Sequence, residues 1–237
     1  MSGPRRIDLA SLSGGPASWA RLAGEIAGAR LVCFATDTVY GVGGIVAPLV
    51  AEAIVAAKGR DAGKPLQVVY PNVELLDISL ALPPRLREAV RRLLPGPFTL
   101  LLPYPAGLGF PPPGEVPHRT QGTFGVRTRT VRTIGVRVPA WPQAAHVLAG
   151  LPFALLASSA NLSGESAPGS LEAVGPSLLE ACDLALDAGP VPGAASTVLD
   201  LSVFAEEGTW RVLRAGSVGE DGVSALLEGA ARDTAAT

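Results

Sequence analysis

Three short segments of this 237-residue chain carry side chains that could hold an anionic substrate. The first, Ala-Thr-Asp-Thr-Val-Tyr-Gly-Val-Gly at residues 35–43, places hydroxyls and a carboxylate directly after a short apolar run. Open α/β sheets bind their ligands at the carboxyl ends of strands, where such groups would stand. An ordinary glycine-containing turn has a similar composition, so both interpretations stay open for this segment alone.

The second segment, residues 57–66, contains the only two lysines of the chain, Lys58 and Lys64, with Arg60 between them. A lysine ammonium is a compact charge that suits phosphate oxygens, and nearby glycines leave backbone amides accessible to the same ligand. The P-loop spacing Gly-x-x-x-x-Gly-Lys-Ser/Thr is absent. A basic helix C-terminus, which the helix dipole favours, is the alternative interpretation.

The third segment, Ala-Ser-Ser-Ala-Asn-Leu-Ser-Gly at residues 157–164, also follows an apolar run. It offers hydroxyl and amide partners to a ligand, although a polar loop after a buried strand is common. The motif Gly-x-Ser-x-Gly is absent, and neither His118 nor His146 lies in a catalytic signature. A covalent hydrolase is therefore not expected.

The charges of the chain are unevenly distributed. Residues 89–164 contain a single carboxylate, Glu115, and a larger set of arginines: Arg91, Arg92, Arg119, Arg127, Arg129, Arg132 and Arg137. Such an excess of positive charge focuses an anionic ligand, although arginines on a solvated face would leave the same pattern. The net charge of −2 argues against a general nucleic-acid coat protein.

Composition excludes several classes of protein. Two cysteines, Cys33 and Cys182, exclude a disulfide scaffold and a cysteine-ligated zinc site, and with only two histidines no metal site is expected. No apolar run approaches the roughly 18 residues of a membrane span. No apolar segment follows the arginines near the N-terminus, so no signal peptide, no membrane partner and a cytoplasmic location are expected.

Apolar periodicity predicts helices and strands in alternation over the first half of the chain. Helices are predicted at residues 18–30, with Ser18 as N-cap, and at 48–57, 85–94, 142–151, 171–181 and 223–232. Strands are predicted at residues 31–35, 66–70, 98–102, 134–138, 153–157, 184–187, 197–201 and 210–213. The last strands have no helices between them, which indicates an α/β (α+β) fold with a mixed, partly antiparallel sheet.

The remaining regions lack periodicity. Residues 1–17 are predicted as an irregular lead-in, 18–232 as a single domain and 233–237 as a frayed tail. The Pro/Gly-rich stretch 103–122 is predicted as a long loop, which in a compact domain is usually functional or mobile. Thr-Phe-Gly-Val-Arg at 123–127 and Thr-Ile-Gly-Val-Arg at 133–137 are compatible with a hairpin, but they do not indicate a repeat architecture.

In combination, these segments resemble the YrdC-type threonylcarbamoyl-AMP synthase family. The family's Pro-Thr-Glu-Thr-Val-Tyr-Gly-Leu-Gly, Lys-x-Arg with Asn-Pro-Leu, and Pro-Gly-Pro-x-Thr are represented by residues 35–43, 58–66 and 95–99. Its Thr-x-x-x-Arg-x-Pro, Ser-x-Asn, Ser-Thr-Val-x-Asp and Leu-Arg-x-Gly are represented by residues 133–139, 159–161, 196–200 and 213–216. No single motif is decisive, but so many in register are not expected by chance.

The chain departs from the family pattern at several positions. Ala35 and Asp37 replace Pro and Glu in the first motif, and Trp141 stands where a histidine is common. A histidine that many members carry on the threonine side of the pocket corresponds, by counting, to Val69. An apolar side chain there cannot hydrogen-bond threonine. Tyr70 would replace it only with a slip of one residue, because neighbours on a strand point to opposite faces.

The resemblance implies a YrdC-like twisted mixed β-sheet flanked by helices, with a concave nucleotide-binding cavity. It implies an L-threonylcarbamoyladenylate synthase that forms threonylcarbamoyl-AMP and pyrophosphate from L-threonine, bicarbonate and ATP, with Mg²⁺ accompanying the ATP. The product would pass to a threonylcarbamoyl transferase complex that modifies tRNA, and a contact with tRNA is a further expectation.

The resemblance also assigns roles to individual residues. Thr38, Arg137 and the backbone of Ala157 would bind threonine, with Arg137 on its carboxylate. Lys58 and Arg60 would be the catalytic cations beside the triphosphate. The nucleotide or its phosphates would contact a further set: Arg60, Lys64, Thr133, Ser159, Asn161, Ala167, Ser196 and Arg214. Asp37 would be an outer partner of the site.

Two other functions fit the same residues. A paralogue acting as an RNA-binding or ribosome-associated accessory protein would use the arginine-rich middle on phosphodiester backbones. However, aromatic residues make up only 5% of the chain, and no base-stacking platform is evident. A carbamoyltransferase-related domain that handles carbamoyl-adenylate would keep the nucleotide residues but would need a partner domain. Pyrophosphate release distinguishes the synthase from the RNA-binding protein.

Overall fold

One mixed β-sheet organises the molecule. The computed structural model describes residues 3–12, 15–59, 65–122 and 125–232, and for residues 119–122, 125–127 and 229–232 it describes the backbone only. The strands within these residues are β1 (Arg5–Asp8), β2 (Val32–Ala35), β3 (Tyr40–Ile45), β4 (Gln67–Val69), β5 (Phe98–Pro103), β6 (Gly114–Gly122), β7 (Gly125–Arg137), β8 (Leu155–Ser159), β9 (Leu184–Asp187), β10 (Thr197–Asp200) and β11 (Arg211–Arg214).

The strands lie side by side in the order β1-β9-β2-β3-β8-β4-β7-β5-β10-β11, and β6 pairs with the outer part of β7. Four pairs are parallel (β1–β9, β9–β2, β4–β7 and β5–β10), and the other pairs are antiparallel. The mixed, partly antiparallel sheet predicted from the sequence is therefore confirmed.

Helices flank this sheet. They are α1 (Pro16–Gly28), α2 (Pro48–Lys58), α3 (Val73–Leu80), α4 (Pro84–Leu93), α5 (Pro176–Glu180), α6 (Phe204–Glu207) and α7 (Glu220–Arg232), with a 3-10 helix at Gln143–Gly150. None of the described helices is both long and apolar enough to cross a membrane.

The two faces of the sheet are covered unequally. Successive residues of a strand point to opposite faces, so Cys33 packs into a large core and Phe34 into a smaller one. Helices α2, α3 and α4 cover the large core with their buried residues. On the other face, α1 contributes Leu22 and Ile26 to the smaller core. The rest of that face is the concave side, over which a cavity forms.

Most predicted elements are confirmed with shifted ends. Every predicted strand overlaps a strand of the structure, and the helices predicted from residues 48, 85 and 223 correspond to α2, α4 and α7. The helix predicted at 142–151 is a 3-10 helix, and the one predicted at 171–181 is wrong except over Pro176–Glu180. The short helices α3 and α6 were not predicted from the sequence.

The prediction that residues 1–17 are irregular is wrong over Arg5–Asp8 and from Pro16 onward. Strand β1 pairs in parallel with β9, and α1 begins at Pro16 with Gly15, not Ser18, as its N-cap. Proline is favoured in the first helical turn, where its missing N–H has no intrahelical partner. Because β9 is distant in sequence, no local sequence pattern predicts β1. The predicted tail at 233–237 lies outside the described residues.

The glycine-rich segment after residue 39 is a strand and not a turn. Strand β3 lies between β2 and β8, and a Cβ atom at Gly43 would lie 2.2 Å from the backbone oxygen of Leu156. Glycine therefore permits the close approach of β8. The glycine-containing turn considered for this segment is therefore wrong; it fitted the sequence because glycine is generally depleted from strands.

The predicted loop at 103–122 is wrong in its second half. Strand β6 pairs antiparallel with the outer part of β7, from Gly114 opposite Thr133 to Gly122 opposite Gly125. The two similar pentapeptides do not form a hairpin with each other, because residues 125–127 and 133–137 lie on the same strand. Proline is unusual in strands, so its presence argued against a strand at β6. Pro117 is tolerated there because β6 is an edge strand.

Candidate functional site

A cavity of about 590 Å³ opens on the concave face of the sheet. Its floor consists of alternate residues of neighbouring strands, including Ala157, Val69, Arg137 and Thr99. Residues 111–116 contribute to one wall and residues 161–167 to another. This volume is in the range of small-molecule sites. Among the described residues, no group of three or more His, Cys, Asp or Glu side chains is arranged to hold a metal ion.

Arg137 is held in the cavity by the segment that follows β2. Its Nη2 donates to Asp37 Oδ1 at 2.7 Å and to Thr38 Oγ1 at 2.8 Å. Asp37 Oδ2 in turn accepts from the backbone N–H of Ala140 at 3.1 Å. The side chains of Arg137 and Asp37 are only 3% and 8% exposed. The buried ion pair therefore holds the guanidinium in one position.

The hydroxyls of Thr36 and Thr38, beside this ion pair, are hydrogen-bonded to each other. Thr36 Oγ1 donates to the backbone oxygen of Val39 at 2.7 Å and lies 3.1 Å from Thr38 Oγ1. Because each hydroxyl has one proton, Thr38 must donate to Thr36 and accept from Arg137. Thr38 thus accepts a hydrogen bond from the Arg137 guanidinium and helps to fix its position.

Arg137 keeps a donor for a ligand. Its Nε is buried and has no hydrogen-bond partner among the described residues. Burial lowers the pKa of Arg137, the Asp37 carboxylate opposes that effect, and the positive charge of Arg214 adds to it. A guanidinium nevertheless stays charged at neutral pH, and leaving a buried donor unpaired costs about 1–3 kcal/mol. A carboxylate placed here would satisfy the donor.

Lys58 brings a second positive charge to the cavity from the last turn of α2. It is buried, and its Nζ donates to the backbone oxygen of Ser159 and lies 3.4 Å from Ser159 Oγ. Ser159 Oγ donates to Asn161 Oδ1, and Asn161 Nδ2 donates to the backbone oxygens of Leu162 and Glu165 at 2.8 and 2.7 Å. The Asn161 amide therefore holds the loop at residues 161–165 in place beside the Lys58 ammonium.

A chain of hydrogen-bonded polar side chains crosses the sheet from β11 to β4. Arg214 Nη2 donates to the backbone oxygen and to Oγ of Ser196, at 3.1 and 3.3 Å. Ser196 Oγ lies 2.8 Å from Thr99 Oγ1, which donates to Gln67 Oε1 at 3.1 Å. These four side chains all line the cavity. Arg214, on β11, lies three strands away from Arg137, on β7.

The cavity brings together most of the residues that the family resemblance assigned. It is lined by Lys58, Thr133, Arg137, Ala157, Ser159, Asn161, Ala167, Ser196 and Arg214. Thr38 is not among the lining residues, since it is 1% exposed and contacts Arg137 from behind. Arg60 and Lys64 lie outside the described residues.

Two lining residues were missed by sequence reasoning. Gln67 is the one polar residue in the apolar run Leu66–Tyr70, and Thr99 closes the Pro-Gly-Pro-Phe-Thr motif. Either feature could have marked a side chain turned toward a ligand, since a polar residue in a buried strand needs a partner. Asp37, expected only as an outer partner, is the direct ion-pair partner of Arg137.

Val69 and Tyr70 lie on opposite faces of β4. Val69 pairs in register with Arg137 and lines the cavity, whereas Tyr70 belongs to the large core on the other face. Burial raises the pKa of Tyr70 to about 12. The alternative register, in which Tyr70 would face the pocket, is therefore wrong.

The wall at residues 111–116 is anchored through the β6 strand. His118 Nε2 lies 2.9 Å from Ser202 Oγ and 3.3 Å from Asp200 Oδ2, and Arg211 Nη2 donates to Asp200 Oδ2 at 2.8 Å. Burial alone would raise the pKa of Asp200, but hydrogen bonds from Ser202 and Arg211 lower it. The ionised carboxylate thus ties β6 to the end of β10.

Comparison with known proteins identifies a family. A family model for Sua5, YciO and YrdC proteins, described as telomere recombination, matches residues 25–216. The threonylcarbamoyl-AMP synthase of Pyrococcus abyssi is 32% identical over 183 residues, which are 76% of this chain and 49% of that protein. A putative threonylcarbamoyl-AMP synthase of Mycobacterium leprae is 32% identical over 204 residues, 84% of this chain and 83% of that protein.

A solved structure of similar fold contains a ligand. The crystal structure of P. abyssi Sua5 complexed with L-threonine matches with a TM-score of 0.66 and 27% identity, over 94% of this chain and 60% of that one. The chain therefore spans about half the length of its P. abyssi relative in sequence and somewhat more in structure.

Proposed function

The chain belongs to the Sua5/YciO/YrdC family, and we propose that it is an L-threonylcarbamoyladenylate synthase, a nucleotidyltransferase. It would form threonylcarbamoyl-AMP and pyrophosphate from L-threonine, bicarbonate and ATP, for the threonylcarbamoyladenosine modification of tRNA. The observation that carries this proposal is Arg137, buried, held by Asp37 and left with an unpaired Nε in the cavity that also contains Lys58 and Arg214. The names of the relatives support this activity over an RNA-binding role.

L-Threonine would bind with its carboxylate on Arg137. Nη2 already donates to Asp37 and Thr38, so Nε would donate to the carboxylate in a charged hydrogen bond that an ammonium cannot place in the same direction. The apolar side chains of Phe34, Val69 and Ala157 line the same cavity and would surround the threonine side chain. Thr38, in place of the direct threonine contact expected from the family, would position Arg137.

The triphosphate of ATP would bind to cationic side chains of the cavity. Lys58 and Arg214 line it, and the family resemblance adds Arg60 and Lys64 as further cations. The other proposed nucleotide contacts are Thr133, Ser159, Asn161, Ala167 and Ser196. Mg²⁺ would enter with ATP as part of the substrate, because two or more phosphates normally travel with it.

The reaction would depend on positioning and electrostatics. The threonine amine and bicarbonate give a carbamate and water. A carbamate oxygen then attacks the α-phosphorus, and pyrophosphate leaves with the electron pair of the broken P–O bond. Phosphoryl-type transfers need aligned reactants and cations that absorb developing charge. We assign that task to Lys58 and Arg60, which need not exchange a proton with the substrates.

The product would be transferred to tRNA by a threonylcarbamoyl transferase complex. A mixed anhydride of this kind hydrolyses in water, so we propose that the transferase lies in the same compartment, the cytoplasm. A direct contact of this chain with tRNA is part of the proposal.

The experiment is pyrophosphate release from ATP, with each of threonine, bicarbonate and ATP omitted in turn. We expect release only when all three are present, and a new adenylate that contains labelled carbon from bicarbonate. Release without threonine would identify another acceptor. No release, together with salt-sensitive RNA binding, would favour the accessory-protein function.

A further inference from the structure

Gln67 lies across the middle of the cavity floor. It is on β4, in register with Gly135 of β7, and its side chain extends to Thr99 on β5, the strand beyond β7. Gly135 has no side chain in the way, and a Cβ atom there would lie 3.8 Å from Gln67 Cβ. Gln67 is level with Gly135, whereas Leu100 pairs with Val136, so Thr99 is level with Arg137 and the glutamine side chain runs obliquely over β7 toward Arg137.

The hydrogen-bond chain from Arg214 orients the Gln67 amide. Arg214 can only donate, so Ser196 Oγ accepts from it and has its own proton available for Thr99. Thr99 Oγ1 then donates to Gln67 Oε1. With the oxygen engaged, the two protons on Gln67 Nε2 remain, and no described protein atom accepts them. The amide thus presents two donors to the cavity.

These donors lie between the two proposed substrate subsites. Thr133 and Arg137 flank Gly135 on the same face of β7, two residues away in either direction. A strand rises about 3.3 Å per residue, so Thr133 and Arg137 lie roughly 13 Å apart along β7, and the Gln67 amide lies between them, toward Arg137. Arg137 would hold the threonine carboxylate, and Thr133 would contact the nucleotide. The bond between the two substrates must form between these residues.

We propose that Gln67 is a catalytic residue that donates from Nε2 to a non-bridging oxygen of the α-phosphate during adenylate formation. This inference rests on the proposed function. As the carbamate oxygen forms its bond to phosphorus and the bond to the pyrophosphate oxygen breaks, negative charge is concentrated on the equatorial oxygens. The amide transfers no proton, and pyrophosphate takes the electron pair. A donor already oriented by Thr99 stabilises that charge without reorganisation.

Variants of Gln67 test the proposal through kcat and KM separately. Gln67→Leu keeps the size but removes the donors, and we expect kcat for pyrophosphate release to fall about 100-fold. KM for threonine and ATP should change by less than about threefold, because the contact is made mainly in the transition state. Gln67→Glu is isosteric and only accepts hydrogen bonds, so it should be at least as slow. Gln143→Leu, the same change at an exposed glutamine outside the cavity lining, is the control.

Thermal melting and a second ligand keep the test decisive. Equal Tm values for wild type and Gln67→Leu exclude a folding defect, and an equal kcat in such a variant would overturn the proposal. Threonylcarbamoyl-sulfamoyl-adenosine holds its sulfamoyl oxygens between the two subsites, where the α-phosphate of ATP arrives only as the new bond forms. It should therefore bind about tenfold more weakly to Gln67→Leu, whereas AMP and threonine, which each occupy one subsite, should bind with unchanged affinity. If the wild type released no pyrophosphate, the proposed function would fail. The same titration would then still decide whether Gln67 contacts this group, and equal affinities would overturn the contact.

Discussion

Replacement of Arg137 by lysine isolates the geometry of the guanidinium from its charge. Arginine donates from Nη2 to Asp37 and Thr38 and still has a buried Nε with no described partner. A lysine ammonium can retain the ion pair with Asp37, but it cannot also place a donor at the position of Nε for a carboxylate. Alanine is less informative, because it would leave Asp37 as an uncompensated buried charge, at a cost of about 3–5 kcal/mol in the free energy of unfolding.

The expected loss follows from the contacts that remain. If Arg137→Lys keeps the Asp37 pair, the change removes one charged hydrogen bond to threonine, worth about 1.5–3 kcal/mol. This corresponds to a roughly 10- to 100-fold weaker Kd for L-threonine. ATP should bind with unchanged affinity, because its proposed contacts do not include Arg137.

Calorimetric titration of L-threonine into the protein loaded with a non-hydrolysable ATP analogue measures this difference. Arg129→Lys is the matched control on the same strand: its side chain is 55% exposed and pairs with Glu206 and Glu207. Arg127→Lys, in the other pentapeptide, should also leave threonine affinity unchanged. A threonine affinity unaltered by Arg137→Lys, or lowered by Arg127→Lys instead, would refute the assignment of Arg137 to the carboxylate.

Three further changes test other parts of the structure. Lys58→Ala should slow pyrophosphate release at least tenfold, since a charged contact is worth about 1.5–3 kcal/mol, and should lower Tm modestly because the backbone oxygen of Ser159 loses its donor. Val69→His should tighten threonine binding about fivefold, the value of one net hydrogen bond. Tyr70→Phe should leave threonine binding unchanged, because Tyr70 packs in the large core on the other face. Calorimetry measures both affinities. The folded protein lowers the pKa of Asp200 from its ordinary 3.8, so its ionised form stabilises the fold above that value and this contribution is lost as the pH falls through the folded pKa. The difference in Tm between wild type and Asp200→Asn should therefore shrink below about pH 4, and a constant difference down to pH 2 would contradict this linkage.

Much of the local structure could be predicted from the sequence because it depends on neighbours along the chain. The apolar periodicity at residues 85–94 predicted α4, and the apolar runs at β2, β8 and β9 predicted strands. The wrong predictions concern elements stabilised by distant partners. Strand β1 depends on β9, β3 needs glycine only because β8 approaches it closely, and β6 is a strand because β7 extends beside it.

The sequence by itself determined the chemistry that is available: scarce lysines beside glycines, hydroxyls after apolar runs, and a region rich in arginine and poor in carboxylates. Family motifs in that sequence also indicated which of these residues share a site. Only the tertiary structure decided what each one contacts. Asp37 and Arg137 are 100 residues apart in sequence and 2.7 Å apart in space, and Gln67 reaches Thr99 only across β7. Strand pairing sets such distances, and its free energy depends on contacts between segments that no local window of sequence contains.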